Sequence, residues 1–233
     1  MIHTIAFDAD DTLWHNEGIF TNTQGKFREL FSGDHDPEKV AKELYETEIR
    51  NLEIFGYGIK GFGLSMIETA IEMSRGEITG AQLQVILDEV KGMLRAPVKV
   101  LQGVTETLQE LAGDFELMVI TKGDLFDQET KIARSGLGDL FRHVEVVSDK
   151  NESNYQVALA KYGLDPAHFL MVGNSIKSDV LPVIALGARA VHVPYQTTWQ
   201  HEFVAKEDYA HVHFNTLQSI RDLPALVRSL HKA

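Results

Sequence analysis

The sequence predicts an α/β fold, a doubly wound parallel sheet with a helical domain inserted after its first strand. Three observations lead there. Five short apolar runs rich in β-branched residues (Ile2–Phe7, Phe115–Ile120, Val144–Val147, Phe169–Val172 and Ala188–Val193) are too short for helices, and four of them are almost continuously apolar. Strands covered on both faces of a parallel sheet have that pattern. Helical patterns separate the later runs, as parallel connections require. The stretch from residue 15 to residue 97 contains no strand pattern and is far longer than the single helix a crossover needs.

The elements follow in order. The first run ends abruptly in Asp8-Ala9-Asp10-Asp11-Thr12. Helical segments are then expected over Pro37–Ile54, Leu64–Met73 and Ala81–Met93, so that residues 15–97 form a helical domain and residues 1–14 with 98–233 form the sheet domain. Within the insertion, Phe55 to Gly63 interleaves four glycines with aromatics. It reads either as a mobile loop with an apolar face or as a plain connection between helices. Val104, Leu108 and Leu111 give one helical face, Leu125–Ala133 precedes Ser135-Gly136, and Tyr155–Tyr162 stops at Gly163.

Composition narrows the function. The chain has 233 residues, 34 acidic against 22 basic, and a net charge of -12. No Lys/Arg run is present to release counterions from a phosphate backbone, so nucleic acid is not an expected partner. The absence of cysteine excludes disulfides, thiolate zinc sites and cysteine nucleophiles. No apolar run reaches the roughly 20 residues of a membrane span, and the first one is too short for a signal peptide. A cytoplasmic protein without membrane partners is the expectation.

The acidic cluster after the first strand is costly, because carboxylates this close repel one another unless a cation or strong donors hold them. Asp8 and Asp10, two apart, leave the same face of an extended tip. One is suited to attack an electrophile and the other to move a proton, with Mg²⁺ the cation that an all-oxygen shell prefers. An Asp-rich helix start is the structural alternative. The second strand ends in Thr121-Lys122-Gly123-Asp124, a hydroxyl followed by backbone N–H groups suited to an anionic oxygen. Lys122 reads either as a phosphate contact or as a solvated first-turn lysine. The third strand runs into Ser148-Asp149-Lys150 and the fourth into Gly173-Asn174-Ser175-Ile176-Lys177-Ser178-Asp179. Four consecutive strand ends thus carry carboxylate, hydroxyl, ammonium and carboxylate, at the sheet edge where doubly wound folds bind ligands.

On these residues the chain closely resembles the haloacid dehalogenase superfamily, over essentially its whole length. The resemblance implies a Rossmann-like core and a helical type 1 cap that opens and closes over the site. It implies Asp8 as nucleophile, Asp10 as general acid/base, Thr121 and Lys150 on the phosphoryl group, and Asp8, Asp10, Asn174 and Asp179 around Mg²⁺. The superfamily's 2-haloacid dehalogenases attack carbon, need no metal and typically lack the second aspartate; its presence here as Asp10 points to a phosphatase acting on a small phosphorylated metabolite. Many of the family's phosphatases have Gly-Asp where this chain has Gly173-Asn174, which leaves the metal site one charge less negative. A dehalogenase-type hydrolase and a binding or regulatory protein with weakened catalysis remain the alternatives.

Elsewhere, Asp34-His35-Asp36 has metal-like spacing but precedes Pro37 as an ordinary helix entrance. His211 and His213 alternate as on an edge strand. Trp14 and Asn16 are expected to contact substrate or to act as a hinge, and Asp11 to be a bystander at the surface or in a turn. Ser175 and Ser178 are expected to orient Asn174 and Asp179 or to cap the following helix. Residues Tyr195 to Glu202 either border the mouth of the site or pack on the C-terminal helix.

Overall fold

The protein is described by a computed structural model covering residues 1–232. β1 (Thr4–Phe7) is followed by four helices, α1 (Glu17–Glu29), α2 (Pro37–Phe55), α3 (Ile59–Met73) and α4 (Gly80–Arg95). Strands and helices then alternate: α5 (Val104–Leu111), β2 (Glu116–Lys122), α6 (Leu125–Ser135), β3 (His143–Val147), α7 (Glu152–Tyr162), β4 (Phe169–Gly173), α8 (Leu181–Ala185), β5 (Arg189–His192), α9 (Lys206–Tyr209), β6 (Asn215–Thr216) and α10 (Leu223–Lys232).

The six strands form one parallel sheet in the order β3-β2-β1-β4-β5-β6. β1 lies between β2 and β4, with Phe7 opposite Val119 on one side and Val172 on the other. The chain crosses from one half of the sheet to the other between β3 and β4, so the order reverses beside β1. That is the switch point at which doubly wound sheets place their ligands.

Alternation along the strands divides the side chains between two cores. Ile5, Phe7, Leu117, Val119, Leu170 and Val172 pack under Val104, Leu108 and Leu111 of α5 and Leu223 and Val227 of α10. Ala6, Met118, Ile120 and Met171 pack under Tyr155 and Leu159 of α7 and Val183 of α8. Each large aliphatic or aromatic side chain so buried contributes roughly 1.5–3 kcal/mol, which is why these runs are apolar on both faces.

The chain divides into two compact units. One comprises Met1–Glu17, Val98–Lys122 and Gln128–Ala233; the other comprises Gly18–Pro97 and Gly123–Asp127. The helical unit has its own core, including Phe27, Phe31, Val40, Leu44, Phe62, Met66, Ile86 and Met93. The division after Glu17 falls three residues beyond the expected one after Trp14, and Gly123–Asp127 groups with the helical unit. Asp36 caps α2 by accepting from the Glu38 N–H at 2.7 Å, with Pro37 in the first position.

Three local expectations need correction. The glycine-rich stretch is not a loop to Gly63: α3 begins at Ile59 and takes in Gly61 and Gly63. A Cβ at Gly61 would lie 2.8 Å from the Gly56 carbonyl oxygen, and one at Gly63 would lie 2.7 Å from Val90 Cγ2. Both glycines serve close packing. α1 has no clear sequence signature, because it buries only Thr23 and Phe27 and so carries little apolar periodicity. The last strand is Asn215–Thr216, with His211 and His213 exposed ahead of it.

Gly63→Ala therefore sets a clash against a helix-propensity gain of about 1 kcal/mol. Overpacking costs about 1–3 kcal/mol, so a net loss on the order of 1 kcal/mol is expected in urea unfolding. A mobile-loop glycine would show no loss.

Candidate active site

Asp8 follows β1 directly and prolongs its ladder, its N–H donating to the Val172 carbonyl at 2.9 Å. The parallel registers put the ends of β1, β2 and β4 at one edge of the sheet. There the Lys150 ammonium donates to Asp8 Oδ1 at 2.5 Å and to Asp179 Oδ1 at 2.7 Å. All three side chains are buried. Burial, reinforced by the nearby Asp179 charge, pushes the Asp8 carboxyl above the ordinary carboxylate range, and Lys150 pulls it back. Burial disfavours the Lys150 ammonium, but Asp179 and Asp8 together hold its pKa above the usual lysine value.

The remaining oxygens are specified too. Asp179 Oδ2 accepts from the Ser175 backbone N–H at 2.9 Å. That carboxylate lies so close to β4 that a Cβ on Gly173 would fall 2.2 Å from its Cγ, so only glycine fits there. Thr12 Oγ1 lies 2.9 Å from Asp8 Oδ2 and 3.2 Å from Asn174 Oδ1. A hydroxyl has one proton, so two oxygen acceptors converge on a single donor. The Asn174 backbone carbonyl is 3.1 Å from His192 Nε2.

Asp10 is held separately. Trp14 Nε1 donates to its Oδ1 at 2.7 Å, Gln128 Nε2 to its Oδ2 at 2.9 Å, and Lys131 Nζ lies 3.1 Å from both oxygens. Lys131 also reaches Asn16 Oδ1 at 3.0 Å. Gln128 and Lys131 are three apart on α6 and so share a face. The Gln128 side-chain oxygen is buried with no hydrogen-bond partner among the described residues. Trp14, expected at the substrate or a hinge, is a buried support for Asp10.

Thr121 is buried at the end of β2, and its hydroxyl lies 3.5 Å from the Lys122 carbonyl. Lys122, expected at a phosphate or in solvent, pairs through its ammonium with Glu202 and lies 3.1 Å from Ser178 Oγ. Asp11 is a turn residue, at φ 64°, but not a surface one. It accepts from the Asn16 and Glu17 N–H groups at 2.8 and 3.0 Å, and burial raises its pKa to about 6.

Glu202 was not singled out from the sequence. It accepts from Ser175 Oγ and Ser178 Oγ, each at 2.5 Å, as well as from Lys122. Burial alone would raise its pKa, but Lys122 and the two hydroxyls outweigh that and hold it at about 2. The residues around Asp10 and Glu202 left no local signal beyond the spacing of Gln128 and Lys131.

Residues 2–187 match the hydrolase family described as haloacid dehalogenase-like hydrolase. The chain belongs to this family. It is also similar to the crystal structure of a haloacid dehalogenase-like family hydrolase from Xanthomonas campestris, at 39% identity and a TM-score of 0.87, over 98% of this chain and 91% of that one. Two more distant structures share the fold. A 2-haloacid dehalogenase from Pseudomonas syringae pv. tomato is 20% identical, with a TM-score of 0.65, over 99% of this chain and 100% of that one. A predicted phosphoglycolate phosphatase from Haemophilus somnus is 16% identical, with a TM-score of 0.65, over 97% and 98%. Comparison with curated proteins finds no match. In this haloacid dehalogenase-like hydrolase the strand-end residues Asp8, Asp10, Thr121, Lys150, Asn174 and Asp179 lie within the matched stretch, whereas Glu202 lies beyond it.

Glu202 makes stability depend on acid. Its folded pKa of about 2 lies below the ordinary value of 4.5, so its contribution is present above pH 4.5 and is lost as pH falls toward 2. The amount is on the order of 3 kcal/mol. Urea unfolding between pH 5 and pH 2 should therefore show a steeper loss for the wild type than for Glu202→Gln.

Proposed function

We propose that the protein is a Mg²⁺-dependent phosphatase that hydrolyses a small phosphorylated metabolite through an aspartyl-phosphate on Asp8. The observation that carries this reading is the set of N–H donors built around Asp10 by Trp14, Gln128 and Lys131. A departing alkoxide needs an acid and a departing halide does not, so a second aspartate held this firmly suits phosphoryl transfer.

The residues present fit the cation. Asp8 Oδ2 and Asn174 Oδ1 converge on one hydroxyl proton, an oxygen pair of the kind that hard cations take. These side chains and the Asp10 backbone carbonyl would hold Mg²⁺. Asp179, whose oxygens also accept from Lys150 and Ser175, would complete the set. Among the described residues there is no cluster of three or more His, Cys, Asp or Glu side chains able to hold a metal ion, so Asn174 and the carbonyl matter to the set. Bound there, Mg²⁺ would neutralise charge on the phosphoryl oxygens.

The chain's own residues supply the remainder. An Asp8 carboxylate oxygen forms the new bond to phosphorus as the ester P–O bond breaks. The Lys150 ammonium offsets negative charge on Asp8 and the phosphoryl oxygens, and the Thr121 hydroxyl donates to one of them. Asp10 gives its proton to the departing oxygen. It then takes a proton from the water that attacks the aspartyl-phosphate, which releases inorganic phosphate and restores Asp8. The helical unit, inserted directly after β1, is read as the family's type 1 cap.

Release of phosphate from an aryl phosphate in the presence of Mg²⁺, and its absence without the metal, tests the assignment. Halide release from a 2-haloacid without metal would replace it with the dehalogenase reading, and inertness toward both with retained ligand binding would favour a regulatory protein. Asp8→Asn should lower kcat by roughly 10⁴-fold or more while leaving the circular dichroism spectrum unchanged. Asp10→Asn should cost about 10²- to 10⁴-fold on alkyl phosphates and distinctly less on nitrophenyl phosphate, whose leaving group needs little protonation.

A further inference from the structure

We propose that Glu202 is a positioning residue of the phosphoryl-transfer site: a buried carboxylate clamp that ties the end of β2 to the loop after β4 and so holds Asn174 and Asp179 in place for the divalent cation. The proposal rests on the phosphatase reading above.

Glu202 belongs to a single turn, Gln200–Glu202, in the connection between β5 and β6. Its donors come from two strand ends. Lys122 is the last residue of β2 and follows Thr121 directly. Ser175 and Ser178 belong to the turn that starts after Asn174 and carries Asp179.

Ser175 is the pivot. Its hydroxyl donates to Glu202, its backbone N–H donates to Asp179 Oδ2 at 2.9 Å, and its Oγ accepts from the Ser178 N–H at 3.0 Å. Fixing Ser175 therefore fixes Asp179 through one hydrogen bond and Asn174 through one peptide. The turn that carries Glu202 is tied down a second time, by Lys177 Nζ donating to the His201 carbonyl at 2.8 Å. From the other side, the Tyr155 hydroxyl donates to the Ser178 carbonyl at 3.0 Å.

A buried carboxylate is an expensive way to strap a loop, since it must be desolvated and fully paired. An apolar side chain would pack the connection at lower cost. What the carboxylate adds is direction: three donors on two catalytic loops converge on one rigid acceptor.

Outer partners of metal ligands typically change affinity by roughly ten- to hundredfold when removed. The test is calorimetric titration of Mg²⁺ into the full chain, as wild type, Glu202→Gln and Glu202→Ala, with melting curves and aryl phosphate kinetics alongside. The proposal expects Mg²⁺ affinity to fall about tenfold in Glu202→Gln and further in Glu202→Ala. It also expects kcat to recover as Mg²⁺ is raised, with KM for the phosphate ester at saturating Mg²⁺ little changed. Folded variants that bind Mg²⁺ as tightly as a binding-competent wild type would overturn the clamp and leave the phosphatase reading intact. A wild type that binds no Mg²⁺ would overturn both. Failure of both variants to fold would overturn the clamp in favour of a purely structural strap.

Discussion

The site depends on one buried ammonium. Lys150 lies between Asp8 and Asp179, 2.5 and 2.7 Å from their oxygens, and side-chain exposure is 10% or less for all three. Two carboxylates cannot share so small a dry volume without a cation between them, and removing one partner of a buried pair typically costs about 3–5 kcal/mol. The arrangement exists because β1, β3 and β4 end at one edge of a parallel sheet. It also needs Gly173 to lack a side chain, so that Asp179 can lie against β4. Sheet register, glycine and charge therefore act as one constraint.

Around that centre the protein builds two further sets of contacts that keep reactive groups apart. Trp14, Gln128 and Lys131 draw the Asp10 carboxylate to α6, while Asp8 belongs to Lys150 and Thr12. Two aspartates two residues apart thus face different partners, as the proposed division between nucleophile and proton carrier requires. Glu202 closes the other side, pairing with the ammonium of Lys122.

Much of this was legible in the sequence because it is local. Continuous apolar runs mark strands buried on both faces, and the strand ends show their chemistry in adjacent residues: Asp8 after Phe7, Thr121 after Ile120, Gly173 and Asn174 after Val172. What was hidden is non-local. The Lys131–Asp10 contact spans 121 positions and the Lys122–Glu202 contact 80, and neither leaves a periodic trace. The pairing of Lys122 with Glu202 was hidden for that reason, since nothing beside Lys122 announces a carboxylate from a distant turn. Gly61 and Gly63 misled differently. Glycine marks loops and close approaches alike, and only the position of Val90 and the Gly56 carbonyl distinguishes them.

Membership in the haloacid dehalogenase-like hydrolase family is compatible with attack on phosphorus or on carbon, and the phosphatase proposed above attacks phosphorus through Asp8. The decisive measurement is acid quenching of the protein during turnover of an aryl phosphate with Mg²⁺, followed by peptide mass spectrometry. The account predicts a phosphoryl group on the peptide carrying Asp8, absent in Asp8→Asn. A phosphoryl group on another residue, or a carboxyalkyl ester on Asp8 after exposure to a 2-haloacid with none formed from the phosphate, would contradict it.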